Sequence, residues 1–327
     1  SPLFLKEIYK TLSLSHKRPH LLWSVFGAAY FLFIGGFAQL NTIPYAMQSL
    51  GLSEVGGGYL FLLTAIGIAV GSFLAGKISK NRVEIGLSCI ASFFLSLFFI
   101  LLSLFSHSFP VAVVCLVGLG LAGGMFLIPF EAFIQLKSPE QNRGQVIAAS
   151  NFTSFVGVLF ASVFLYVVSG KLGFSAAFGF ATVGILTLIF AIVITGRMAR
   201  LFFPFFANKI YSRFFSIEID NQPHKPCVLL LPPQDFRTAL LLFSFFPHQH
   251  LFVVGKSLRT FPFIEKLLKN IHLISLKKAS LALFVLFLKK AQKIQKNGFY
   301  IIFLPDSNQR KEEIAKANER FSSPLLY

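Results

Sequence analysis

Six long apolar runs fill the sequence up to residue 200, at roughly 21–43, 57–76, 85–105, 110–134, 146–169 and 175–196. Each is close to or above the ~20 residues that a helix needs to cross a bilayer. Short stretches carrying Gly, Pro and charge separate them, as loops between spans do. The pattern predicts an α-helical polytopic membrane domain of six spans over 21–200, preceded by a cytoplasmic linker over 1–20. Beyond residue 200 the pattern changes. Short apolar runs at 227–231, 250–254 and 299–304 read as strands. Runs at 202–215, 239–246, 263–270 and 280–296 read as helices between them. This alternation predicts a small cytoplasmic α/β domain over 201–327.

Charge adds an orientation. Lys6, Lys10, Lys17 and Arg18 precede the first run, and Lys77, Lys80 and Arg82 follow the second. Lys137 and Arg143 lie between the fourth and fifth, and Arg197 and Arg200 follow the sixth. The loops of the opposite side carry Lys171 as their cation. Cations gather on the cytoplasmic side of membrane proteins, which puts both ends of the membrane domain there. An even number of spans requires the same. The whole chain has a formal net charge of +17 with only 13% charged residues. Cations that flank apolar runs point to membrane lipid headgroups as the partner, and no nucleic acid is expected. The stretch 280–296, with Lys289, Lys290, Lys293 and Lys296 beside an apolar run too short to span, reads as a helix on a sheet or at a membrane surface. The chain opens at Ser1 without a signal peptide, and a piece of a longer protein is expected.

Polar groups inside the spans narrow the search for a site, because each is costly at that depth. Gln39 and Asn41 close the first run, Glu131 and Gln135 lie late in the fourth, and Asn151 opens the fifth. They are the candidate substrate path. For Asn151 an interhelical hydrogen bond is the competing role, and for Glu131 a headgroup-level position. Gly27, Gly35 and Gly36 in the first run, Gly67, Gly71 and Gly76 in the second, and Gly118, Gly120, Gly123 and Gly124 in the fourth have the spacing of close helix packing. Cys89 and Cys115 fall within spans and read as small apolar residues, and with Cys227 they have no metal-like spacing. No phosphate loop, dinucleotide fingerprint or Gly-x-Ser-x-Gly elbow occurs, so neither a cofactor nor a metal is expected.

Several segments carry a family resemblance. They are Ala29-Tyr30-Phe31 through Gln39-Leu40-Asn41, Gly71-Ser72-Phe73-Leu74-Ala75-Gly76-Lys77 and Arg82-Val83-Glu84-Ile85-Gly86. Ile128-Pro129-Phe130-Glu131 through Gln135, Ser138-Pro139-Glu140, Arg143-Gly144 and Ala148-Ala149-Ser150-Asn151 complete the set. Together they resemble the lysophospholipid transporters of the major facilitator superfamily. The resemblance covers residues 1–200 and implies the carboxy-terminal six-helix half of such a transporter, in a bacterial cytoplasmic membrane. It also implies lysophospholipid as substrate and an upstream transporter half as partner. Two positions depart from the family: Gly76 stands where its basic loop often carries an acid, and Glu131 where it usually has Asn.

The tail is similar to glycerolipid acyltransferases that use an acyl thioester, which are sometimes fused behind this transporter. That resemblance implies acyl carrier protein as a further partner and a His-x4-Asp pair as the catalytic base and its orienter. Aligned without gaps, Pro233 stands where the His belongs and Thr238 where the Asp belongs. Neither can carry or orient a proton in that role. No His elsewhere in the chain has an acid five positions later. A second motif survives in part as Pro305-Asp306-Ser307, and Lys256 and Arg259 match an intervening basic segment. These five positions are the candidate phosphate- or lipid-binding remnant. The expected function is lysophospholipid transport with a catalytically inactive tail. Two alternatives stand beside it: an active 2-acylglycerophosphoethanolamine-type acyltransferase with an atypical site, and a non-functional truncated remnant.

Overall fold

The computed structural model describes residues 19–79, 83–198, 201–202 and 205, and five strands within 228–326. The chain divides into two compact units, Ser1–Met198 and Ala199–Tyr327.

The first unit is a bundle of six helices: α1 (Pro19–Leu50), α2 (Glu54–Ser79), α3 (Ile85–Leu104), α4 (Phe109–Lys137), α5 (Arg143–Leu165) and α6 (Ala176–Arg197). All six are long and apolar enough to cross a membrane, and this unit is an integral membrane domain. Each expected span falls on one helix, but several helices run longer. The first apolar run stops just before Pro44, whereas α1 continues through that proline to Leu50. Membrane helices tolerate an internal proline because nearby hydroxyls and helices re-satisfy the freed backbone. Two residues before the proline, the Thr42 hydroxyl donates to the Ala38 carbonyl at 2.6 Å, so this side chain is satisfied by its own helix. Helix α5 passes into a π-helical turn, Tyr166–Lys171. On the side opposite the flanking cations, Gly51 (φ 66°) and Gly173 (φ 68°) make left-handed turns after α1 and before α6. Glycine adopts that conformation without a Cβ clash.

The main helix contacts pair α2 with α4, α1 with α5, and α3 with both α4 and α6. Two kinds of seam hold them. Between α2 and α4 the backbones touch. A Cβ at Gly67 would lie 2.5 Å from the Val117 carbonyl oxygen. One at Gly71 or Gly120 would overlap the carbonyl of Leu121 or Thr64. One at Gly124 would overlap the Ile68 carbonyl. Two glycine pairs, each four residues apart, thus interlock, the arrangement that lets membrane helices approach most closely. Around α6 the seams are polar. Ser96 Oγ donates to the Gly184 carbonyl at 2.8 Å, and the Tyr30 and Thr187 hydroxyls lie 2.9 Å apart. On the neighbouring α1–α3 contact, the buried Tyr45 hydroxyl donates to the Leu102 carbonyl at 3.0 Å. Phe180 sits among Phe37, Tyr45 and Phe99, with ring centroids 5.1–6.2 Å apart. Part of the chain's phenylalanine, 42 residues in all, therefore builds this core. Cys89 and Cys115 are buried free thiols within it.

In the second unit, the strands β1 (Val228–Leu230), β2 (Leu251–Gly255), β3 (Leu273–Ile274), β4 (Tyr300–Leu304) and β5 (Leu325–Leu326) form one sheet in the order β3-β2-β4-β1-β5. All pairings are parallel: Phe252 faces Ile301, Val228 faces Ile301 from the other side, and Val253 faces Leu273. Their unbroken apolar runs suit parallel strands, which are usually covered on both faces. β1, β2 and β4 overlap the three strand-like runs of the sequence. The short β3 and β5 had no such signal. The helical runs expected between the strands, from residue 206 onward, lie outside the described residues. So do Pro233, Thr238, Lys256, Arg259, Pro305, Asp306 and Ser307.

Candidate functional site

A cavity and a wider groove open among the described residues of the bundle. The smaller, of about 240 Å³, lies where α1 faces α2, α3 and α4. Its α1 wall runs from Phe31 to Gln39, and Gly120 and Gly123 of α4 with Ile68 of α2 oppose it. Glycines on both sides, Gly35 and Gly36 of α1 and Gly120 and Gly123 of α4, leave room there. Gly35 has nothing within 4 Å of where a Cβ would stand. Of the residues lining this cavity, only Gln39 and Thr64 bear polar side chains. The Thr64 hydroxyl is directed to the Leu60 carbonyl in its own helix, at 3.4 Å. The Gln39 amide is thus the group here able to meet a polar ligand. The larger cavity is a groove of about 770 Å³ between α1, α5 and α6. Trp23, Phe26, Tyr30 and Phe33 of α1, Phe160 and Phe164 of α5 and Phe190 of α6 form its walls. At its Trp23 end, the Arg197 guanidinium lies 5.1 Å above the indole, within cation–π range.

The candidate path residues separate on inspection. Gln39 is exposed and lines the smaller cavity. Asn41, two residues on, is 0% exposed. Its Nδ2 donates to the Ala176 carbonyl at 2.8 Å, tying α1 to the start of α6. Its Oδ1 is buried without a hydrogen-bond partner. Asn41 is therefore a helix latch and does not line an open path. Two residues along a helix turn a side chain by roughly 200°, so neighbours in sequence face opposite ways. Glu131 is half-buried, and Gln135 and Asn151 are exposed.

The path residues also lie at two levels. Glu131 is six residues from the end of α4 and Asn151 eight from the start of α5. At ~1.5 Å per residue, both sit within about 12 Å of the bundle end that carries the cations. Gln39 is twenty residues from the start of α1, or ~30 Å along that helix. The five positions do not form one polar patch, and neither cavity includes Glu131, Gln135 or Asn151. Sequence reasoning missed Trp23, Tyr30, Gly35 and Arg197. The lone tryptophan, near the start of α1, was a usable signal. The groove's walls come from helices distant in sequence and left none.

No curated protein and no solved structure matches the chain. The family model of the Major Facilitator Superfamily matches residues 25–204, more than half of the chain and nearly the whole bundle. Six membrane helices with glycine-backed contacts and an inner cavity fit that match, and the chain belongs to the Major Facilitator Superfamily of membrane transporters.

Proposed function

We propose that this bundle moves lysophospholipid across the membrane, as one half of a two-bundle transporter. The carrying observation is the chemistry of the smaller cavity. It is apolar and glycine-lined, with one free amide at Gln39. A single-chain amphiphile needs such a surface: room for hydrocarbon and one group for a head. In this superfamily two six-helix halves rock about a central path. A second bundle facing α1, α2 and α4 completes that path. The head is passed between Gln39 and the outer level of Glu131, Gln135 and Asn151 at the cation-bearing, cytoplasmic end. Support for lysophospholipid over other amphiphiles is the motif resemblance at Gly71–Lys77, Ile128–Gln135 and Ala148–Asn151.

The tail is proposed to be an inactive relative of acyl-thioester-dependent acyltransferases, because Pro233 and Thr238 replace the proton-handling pair. In favour of that relationship, Lys256 directly follows β2 in the sequence and Pro305 directly follows β4, and these two strands are paired neighbours. Ligands of parallel sheets bind beyond the carboxyl ends of the strands. Membranes containing the chain together with a second six-helix half should flip a fluorescent lysophospholipid, and Asn151→Leu should lower that rate with the same amount of protein inserted. The same membranes, given acyl carrier thioester, should form no diacyl product. Flipping that is no faster than in membranes lacking the chain would remove the transport reading. Acylation lost on Asp306→Asn would replace it with the enzyme.

A further inference from the structure

The larger groove does not belong to the proposed path, and its makeup points to a different ligand. The hydroxyls of its walls are already engaged within the bundle. The Tyr30 hydroxyl is paired with Thr187 at 2.9 Å, and the Thr153 hydroxyl donates to the Ala149 carbonyl at 2.7 Å. Its outer wall is open: Phe160 is 64% exposed and Val163 59%. Along α1 it runs from Trp23 to Phe33, ten residues or ~15 Å at helical rise, and along α5 and its π-helical turn from Thr153 to Val167, fourteen residues or ~21 Å. An acyl chain within the ~30 Å hydrocarbon core can follow that length. One end carries a cation. Arg197 is the last residue of α6, exposed, and stacked on Trp23 where the groove begins. Tryptophan and arginine at a helix end mark the headgroup level of a membrane.

We propose that this groove is a binding site for an anionic phospholipid of the surrounding bilayer, with one acyl chain along the α1–α5–α6 walls and the phosphate-bearing head at Arg197. The occupant comes sideways from the leaflet on the cation-bearing side. Charge complementarity sets its identity: the walls accept any hydrocarbon chain, and Arg197 favours a negatively charged head over a zwitterionic one. The guanidinium keeps its stacking on Trp23 while its outer N–H groups remain directed to phosphate oxygens. This site is independent of which substrate the transporter carries.

Trp23 is the chain's only tryptophan, so its fluorescence reports on this groove alone. The full chain is reconstituted into vesicles in which a chain-brominated phospholipid is introduced with either an anionic phosphatidylglycerol or a zwitterionic phosphatidylcholine head. Bromine quenches the indole on contact. The anionic lipid should quench at about fivefold lower mole fraction, the factor that one cation near a headgroup surface supplies. Arg197→Gln should abolish that preference and Arg197→Lys should keep it. Val163→Phe, at an exposed position of the groove wall, should weaken quenching by both lipids. Equal quenching by the two heads, or a preference that survives Arg197→Gln, would overturn the assignment of the head. Absence of quenching, as when another protein covers the groove, or quenching indifferent to Val163→Phe, would overturn the placement of the chain.

Discussion

The α2–α4 contact and the α1–α5 contact belong to the same bundle, yet one is shut and the other stands open. Between α2 and α4 four glycines bring backbone against backbone. Between α1 and α5 the approach is tightest at Gly157, where a Cβ would lie 2.5 Å from the Ala29 carbonyl oxygen, and looser at Gly36, where one would lie 3.7 Å from the Val158 Cα. Around Gly157, Trp23, Phe33, Phe160 and Phe164 hold the helices apart and leave the groove. In lipid there is no hydrophobic drive to bring helices together, so local fit decides. Small residues repeated every fourth position close a seam. Small residues set among aromatics, as at Gly157, leave space beside the contact.

The largest effect should come from breaking the closed seam. Gly120→Leu places a side chain into the Thr64 carbonyl and should destabilise the bundle by about 3 kcal/mol, read from the midpoint of unfolding in mixed detergent. Ser96→Ala tests the polar alternative. It removes the bond to the Gly184 carbonyl and should cost only about 0.6 kcal/mol, the average for interhelical hydrogen bonds in membranes. If the second change cost more than the first, glycine packing would not be the main fastening. The smallest effect on stability belongs to Gly35→Leu, whose side chain meets open space, with a change within about 0.5 kcal/mol. The same substitution fills the smaller cavity, so lysolipid flipping should fall while stability holds. Loss of folding on Gly35→Leu would show that the cavity is closed in the membrane.

How much of this was readable beforehand depends on distance along the chain. The spans were readable because bilayer thickness imposes a long apolar run wherever a helix crosses. The interlocking glycines were readable as spacing, although their partners were not: Gly71 meets Leu121, fifty residues away. The end of α1 was misplaced because Pro44 looks like a stop when the lipid setting that tolerates it is ignored. At the candidate site, Gln39 and Asn41 looked like one polar pair and point opposite ways, a consequence of helical rotation. Glu131 and Gln135, four apart, do share a helix face, but at a depth far from Gln39. Counting residues from each helix end would have separated the two levels. The groove, built by α1, α5 and α6 together, depends on how helices pack, and no local pattern encodes it.

The contrast between Gln39 and Asn41 tests the transport reading most directly. Labelled lysophospholipid flipping and detergent unfolding are measured side by side for Gln39→Leu and Asn41→Leu. The account predicts that Gln39→Leu slows flipping at unchanged stability, whereas Asn41→Leu loosens the α1–α6 contact and affects flipping only as far as folded protein is lost. Normal flipping by Gln39→Leu, alongside a fully stable Asn41→Leu that no longer flips, would contradict it.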